Sequence, residues 1–344
     1  MKIKGKLIDG KIIVERPKDV GRLYNKSRLG NMASNNKLEL DLIEGCFLLD
    51  EGKIEIKKEK SIVGFESISN IACKKINDFD AKYLAFKDLR KRGCIIRPAD
   101  KIKGITFSDY KKEFFVCVFS EGNYFNFKEV FTLIKNAEET DVKLYFAVVD
   151  FEGDVTYYDV SKLDLKGLNK TEKYPKSKGL LSDNGVMIYD RKIKDLLFKN
   201  EFFGKYFGEG LRISFVEALY LIEKKIIEVK NADGKSISYD NLIKISKQKM
   251  PNFENIYSIY KDLKQKGLIV KTGFKFGSDF RVYTKNPDEV HAEYLVQTVE
   301  RKYIVSWSEM SRIIRLAHSV NKEIVFACVD KDKNHYVRFG RLRP

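Results

Sequence analysis

Tyr83-Leu84-Ala85-Phe86-Lys87-Asp88-Leu89, with Gly93 close behind, recurs as Tyr257-Ser258-Ile259-Tyr260-Lys261-Asp262-Leu263, with Gly267 close behind. Three further pairs flank this one. Gly10-Lys11-Ile12-Ile13-Val14 resembles Gly185-Val186-Met187-Ile188-Tyr189, and Glu44-Gly45-Cys46-Phe47-Leu48-Leu49 resembles Glu217-Ala218-Leu219-Tyr220-Leu221-Ile222. Phe146-Ala147-Val148-Val149-Asp150 resembles Phe326-Ala327-Cys328-Val329-Asp330. The offsets along the chain are 175, 173, 174 and 180. A nearly constant offset of about half the chain describes one domain present twice, with small insertions, and not a short-period solenoid.

Each copy reads as helix followed by strands, a mixed α/β (α+β) fold. Phe253, Ile256, Tyr260 and Leu263 share one helical face, and Gly267 stops that helix. Ser306-Trp307-Ser308-Glu309 has capping-box spacing, and Met310, Ile313, Ile314 and Ala317 continue as an apolar stripe. The first copy repeats the logic with Asn126 and Glu129 as the cap and Val130, Leu133, Ile134 and Ala137 as the stripe. The apolar runs Leu144 to Val149 and Ile324 to Val329 then suit strands buried on both faces. Residues 161–179, rich in Lys, Gly and Ser and containing Pro175, read as the linker. The expected boundaries are 1–160 for the first copy, 161–179 for the linker, and 180–265 and 266–344 for the two parts of the second copy.

At 344 residues the chain can bury two or more cores. Hydrophobic content of 43% with charged content of 33% is that of a globular, not a disordered, protein. Apolar runs of about six residues are far short of the ~20 needed to span a bilayer, and no signal peptide follows Met1-Lys2-Ile3-Lys4. Neither a membrane partner nor an anchor is expected. The formal net charge of +16 favours a polyanionic partner, of which nucleic acid is the commonest. Basic residues are spread along the chain, so charge alone does not locate a site. Cys46, Cys73, Cys94, Cys117 and Cys328 form no Cys-x-x-Cys pair, so they read as thiols in a reducing cytoplasm and not as zinc ligands.

The three histidines (291, 318 and 335) all fall in the second copy. The offset of 180 sets His291 opposite Lys111 and Lys322 opposite Val142, so neither group is kept in the first copy. Similar cores with different polar inventories suggest one working site and one scaffold. RNA carries its own nucleophile, the 2′-hydroxyl, beside each phosphodiester. Cutting by that route needs a base, an acid for the leaving 5′-oxygen and a cation for the phosphorane. Histidine suits the acid, lysine the cation, and a tyrosine the base where cations surround it.

Phe276-Gly277-Ser278-Asp279-Phe280-Arg281-Val282-Tyr283, His291-Ala292-Glu293-Tyr294-Leu295-Val296 and Arg315-Leu316-Ala317-His318-Ser319-Val320-Asn321-Lys322 closely resemble the archaeal tRNA-splicing endonucleases. The resemblance covers essentially the whole chain and points to the homodimeric class, with an inactive and a catalytic copy in each polypeptide. It implies an N-terminal α/β subdomain and a C-terminal nuclease-like α/β subdomain in each copy, the latter around a central mixed sheet. It also implies excision of introns from precursor tRNA at bulge-helix-bulge motifs, without metal or other cofactor, leaving 2′,3′-cyclic phosphate and 5′-hydroxyl ends. By motif position Tyr283 would be the general base, His291 the general acid and Lys322 the charge stabiliser. Arg315 and Arg341 would sandwich a flipped bulge base by cation–π stacking. Asp150, Glu152 and Asp154 match an acidic loop that docks on the partner subunit. The first copy is longer around 15–36 and 57–80 than compact family members.

Two rivals remain open on the sequence. Pro287-Asp288 followed by Glu300-Arg301-Lys302 fits a loose pattern of metal-dependent nucleases, in which Asp288 and Glu300 would hold magnesium beside Lys302. Alternatively the chain is a non-catalytic RNA-binding scaffold.

Overall fold

The structure is a computed structural model and describes residues 2–99, 104–111, 113–169, 174–330 and 333–344. The first copy begins with β1 (Ile3–Ile8), β2 (Lys11–Val14), α1 (Pro17–Gly21), β3 (Asn31–Met32), β4 (Leu38–Leu40), α2 (Leu42–Asp50), β5 (Ile54–Lys58), β6 (Ser61–Val63) and α3 (Phe65–Lys75). It continues with α4 (Phe79–Lys91), β7 (Ile96–Pro98), β8 (Phe107–Asp109), β9 (Phe114–Ser120), β10 (Tyr124–Asn126), α5 (Phe127–Glu139), β11 (Lys143–Val149) and β12 (Val155–Lys162). The second copy repeats the series with β13 (Ser177–Ser182), β14 (Gly185–Ile188), α6 (Arg191–Glu201), β15 (Lys205–Phe207), β16 (Gly210–Ile213), α7 (Phe215–Glu223), β17 (Ile227–Lys230) and α8 (Tyr239–Lys249). It ends with α9 (Phe253–Gln265), β18 (Ile269–Thr272), β19 (Phe280–Tyr283), β20 (Tyr294–Glu300), β21 (Ile304–Ser306), α10 (Trp307–Ser319), β22 (Glu323–Asp330) and β23 (Lys333–Leu342).

The helices form where periodicity and caps agree. Asn126 accepts the Glu129 N–H at 2.9 Å to open α5, and Ser306 accepts the Glu309 N–H at 3.3 Å to open α10. Phe253, Tyr260 and Leu263 are buried on α9, and Gly267 closes it with φ +76. The same capping box opens α2 (Asp41 with Glu44) and α7 (Ser214 with Glu217), satisfying otherwise orphaned N–H groups at equivalent places.

The register of the strands refines the repeat. Ile8 pairs with Lys11 as Ser182 pairs with Gly185, so Gly185 is the counterpart of Lys11 and not of Gly10. Ile96 pairs with Asp109 as Val270 pairs with Val282, and the Tyr110 N–H donates to the Ile95 carbonyl where Tyr283 pairs with Ile269, so the first copy keeps a tyrosine, Tyr110, at the position of Tyr283. Between β8 and β9 the first copy has only residues 110–113, whereas β19 and β20 are joined by residues 284–293. The jump in offset therefore lies in one loop, and His291 is on it. The Lys143 N–H donates to the Glu113 carbonyl as the Glu323 N–H donates to the Glu293 carbonyl, so the end of this loop keeps the offset of 180 that sets His291 opposite Lys111.

The described chain divides into two compact units that do not follow the copies. The first is Met1–Ser161 with Ile304–Ser311 and Gly340–Pro344; the second is Lys162–Tyr303 with Arg312–Phe339. In the first unit one sheet runs β3-β4-β2-β1-β5-β6, and β12-β11-β9-β8-β7 are neighbours in another. The first unit also holds the β10–β21 pair and Trp307, which is fully buried and stacks on Phe125 at 4.4 Å between ring centroids. A segment of the second copy thus completes the core of the first unit, which corrects the expected division at 266–344.

In the second unit one sheet runs β15-β16-β14-β13-β17, and β18-β19-β20-β22-β23 are neighbours in another. The two ends of the expected linker are strand, since β12 reaches Lys162 and β13 starts at Ser177, while 163–169 and 174–176 are irregular and residues 170–173 lie outside the described residues. Leu165 is buried, and Gly167 donates its N–H to the Lys266 carbonyl at 2.9 Å. A Cβ on Gly167 would come within 2.0 Å of the Gly267 carbonyl oxygen, so only glycine fits there. Among the described residues no helix is long and apolar enough to cross a membrane.

Candidate active site

Three strand directions bring distant parts of the second copy to one end of a sheet. β19 runs antiparallel to β20, so Tyr283 at the end of β19 lies toward the start of β20. β20 runs parallel to β22, with Tyr294 beside Glu323, so the residues before both strands share that end. The Glu293 N–H donates to the Val282 carbonyl at 3.2 Å, and the Glu323 N–H donates to the Glu293 carbonyl at 3.1 Å. These two bonds stitch together the segments that carry Tyr283, His291 and Lys322.

Each side chain is held by recognisable local structure. The Tyr283 ring is buried with Ile269 and Ala292, against which Phe202 and Val290 also pack. The Arg281 guanidinium lies 6.0 Å from the centroid of that ring. Lys271, paired with Arg281 across the strands, is a second nearby cation. Its Nζ donates to the carbonyls of Phe202 (2.5 Å) and Gly204 (2.8 Å), and burial pushes its pKa down. His291 is exposed and follows a turn in which Asn286 accepts the N–H groups of Asp288, Glu289 and Val290 through its side chain and carbonyl.

Lys322 leaves α10 through a left-handed cap. Asn321 sits at φ +54, its N–H donates to the His318 carbonyl at 3.0 Å, and the Lys322 N–H donates to the Ala317 carbonyl at 3.0 Å. This is the paired bonding of a Schellman turn, and asparagine tolerates the conformation better than a branched residue would. The first copy uses the same turn, with Asp141 at φ +52, and delivers Val142 where the second delivers Lys322. The Lys322 Nζ stands 5.6 Å from the Phe276 ring centroid.

An open cleft of about 460 Å³ adjoins this sheet end, lined by Glu293, Tyr294, His318, Asn321, Lys322 and Glu323. Of the three predicted residues only Lys322 is among its lining. The sequence reading passed over His318 and Glu323. His318, on the exposed face of α10 four residues before Lys322, was legible from helical spacing. Glu323 is ion-paired with Arg338 at 2.8 Å. Arg315 is exposed one turn before His318 and so shares the helix face that borders the cleft. Arg341 is exposed near the end of β23 and belongs to the first unit.

Asp279 anchors the approach to β19. Its carboxylate accepts the Thr298 N–H at 2.7 Å, and burial raises its pKa against the pull of that bond. The rival pattern does not assemble. Asp288 precedes β20 and Glu300 ends it, so the length of the strand, about 20 Å, separates the carboxylates. Lys302 lies beyond Glu300 at that far end, and one magnesium ion cannot bridge such a gap.

In the first unit Asp150, Glu152 and Asp154 form an exposed turn between β11 and β12. The Asp150 carboxylate accepts the N–H groups of Glu152 (3.0 Å) and Asp154 (2.9 Å). Asp150 therefore builds the turn, and Glu152 and Asp154 present its charge.

The sequence model described as the tRNA intron endonuclease catalytic C-terminal domain matches residues 79–157 and again 253–338. The N-terminal domain model of the same family matches residues 3–69 and 177–243. The chain is 33% identical over 357 residues to a tRNA-splicing endonuclease of Methanococcoides burtonii, covering 99% of this chain and 100% of that protein. It is 33% identical over 356 residues to a tRNA-splicing endonuclease of Methanosarcina barkeri, again covering 99% and 100%. A tRNA-splicing endonuclease of Methanococcus vannielii is 39% identical over 165 residues, which is 93% of that protein but 47% of this chain. A relative of half the length is what a duplication predicts.

Proposed function

Since the chain belongs to the tRNA intron endonuclease family, we propose that it cuts precursor tRNA at the sheet end that carries Tyr283, His291 and Lys322. The observation that carries this reading is the convergence of β19, β20 and β22 at that end, stitched by the Glu293 and Glu323 backbone bonds. The 2′-oxygen attacks the adjacent phosphorus while Tyr283, as phenolate, takes its proton. The bond from phosphorus to the 5′-oxygen breaks, and His291 protonates that oxygen as it leaves. Lys322 faces the charge on the phosphorane. The products are a 2′,3′-cyclic phosphate and a 5′-hydroxyl. No step requires a metal, so a bulge-helix-bulge RNA incubated in excess EDTA should be cut to cyclic-phosphate ends. Loss of cleavage in chelator, or 3′-hydroxyl ends, would sink the mechanism.

Arg315 and Arg341 are the proposed clamp on a flipped bulge base, read by stacking and not by sequence. Arg315→Ala should weaken binding of the bulge-helix-bulge RNA by roughly 2- to 30-fold, measured by anisotropy. The assembly proposed is a homodimer held by the loop at Asp150, Glu152 and Asp154. Because Asp150 also closes the turn, the informative variant is Glu152→Lys with Asp154→Lys. It should elute as a monomer in sizing with light scattering, and an unchanged dimer would refute the docking role. A reducing cytoplasm suits the chain, whose five cysteines are all thiols.

A further inference from the structure

The five-stranded sheet of the second unit packs one face on its core and leaves the other exposed around a buried Met187. In β16 the burial pattern leaves Arg212 as the one exposed residue. The register sets Lys205, Arg212, Met187, Leu180 and Lys230 in one cross-strand row. In the neighbouring row Phe207 pairs with Gly210, and Lys178 pairs with Glu228. Tyr189 follows β14 between them: a Cβ on Gly210 would lie 3.0 Å from Tyr189 Cε1, so the ring rests on a bare glycine. Tyr189 is 56% exposed and Phe207 66% exposed. A groove of about 620 Å³ takes in Lys178, Tyr189 and Lys230.

The first unit has the same sheet with opposite chemistry. There the positions of Tyr189 and Arg212 are held by Glu15 and Glu39, and that of Phe207 by Ala33. Glu15 binds Lys6 at 2.6 Å and Lys37 at 2.7 Å, which hold its pKa down to about 2, and Glu39 pairs with Lys11. One copy neutralises its own lysines. The other has lost both carboxylates at those positions and gained two exposed rings.

We propose that this face of the second unit binds unpaired RNA, apart from the site of cleavage. Bases stack on Tyr189 and Phe207 while phosphates lie along Lys178, Lys205, Arg212 and Lys230. Aromatic rings give sequence-tolerant affinity because every base has a π-face, and the surrounding cations supply a salt-dependent term. The cationic side chains fit a polyanion, and flat exposed rings are what splayed bases need. The proposal rests on the chain acting on RNA and not on which residues cut it.

The test titrates the full-length chain into fluorescein-labelled decauridine at several salt concentrations. The variant carrying Tyr189→Glu, Phe207→Ala and Arg212→Glu installs the residues of the first copy. It should lose at least tenfold in affinity and show a shallower salt dependence, while still cutting a minimal bulge-helix-bulge RNA at the wild-type rate. Tyr189→Phe, which keeps the ring, should bind as wild type, whereas Tyr189→Leu should not. Equal affinity of those two, or unchanged affinity of the triple variant, overturns the proposal. So does a triple variant that loses its dimer yet keeps its affinity, since the face is then a subunit contact. Binding is read without cleavage, so failure of the catalytic reading leaves this result interpretable.

Discussion

In His291→Ala, single-turnover cleavage of a bulge-helix-bulge RNA should fall by about 10²- to 10⁴-fold, the usual contribution of a general acid or base. RNA affinity and melting temperature should hold. The argument is structural: His291 is exposed on the loop 284–293, so removing its ring opens no cavity. Its loss therefore falls on the proton delivered to the departing 5′-oxygen. Tyr283→Phe tests the opposite kind of residue. The ring is buried against Ile269 and Ala292, and phenylalanine keeps that packing while removing the hydroxyl. It should slow cleavage with little loss of RNA binding. Rapid-quench measurement of both variants decides the matter. A His291→Ala chain that cuts as fast as wild type would return the reading to a non-catalytic scaffold.

What the sequence disclosed and what it hid follow from the range of the forces involved. Helices α5, α9 and α10 were legible because cap, apolar stripe and stop are all local to Asn126, Ser306 and Gly267. The duplication was legible for the same reason. The exact counterparts were not, because an offset cannot say where an insertion sits. Pairing of Val270 with Val282, and of Ile96 with Asp109, puts the extra residues in the one loop that follows. Hairpin register, not spacing, fixes that. Trp307 shows a second limit. Its position in an amphipathic helix was plain, but its partners Phe125, Phe146 and Tyr158 are far away in the chain. Motif position brought Asp150, Glu152 and Asp154 forward as one acidic loop, whereas the hydrogen bonds separate the aspartate that makes the turn from the two residues that offer charge.

The buried pair Glu201–Lys264 carries the other large effect, on stability. The Lys264 Nζ lies 2.8 Å from Glu201 Oε2, with side chains 2% and 1% exposed. The ammonium also stands 4.7 Å from the Phe203 ring centroid, and Tyr174 donates to Glu201 at 3.4 Å. The pair joins the end of α6 to α9, and so ties the N-terminal sheet of the second unit to the helix that precedes β18. Lys264→Met leaves a carboxylate buried with one weak donor, and should cost about 3–5 kcal/mol. Glu201→Met strands the ammonium and should cost a similar amount. The double variant removes both charges while keeping bulk, and should recover most of that loss or exceed wild type, since two charges no longer have to leave water. Urea unfolding followed by far-UV circular dichroism, comparing midpoints among the four chains, separates the causes. If the double variant is as unstable as the sum of the singles, the cost lies in packing around α6 and α9, and the electrostatic account of this clamp is wrong.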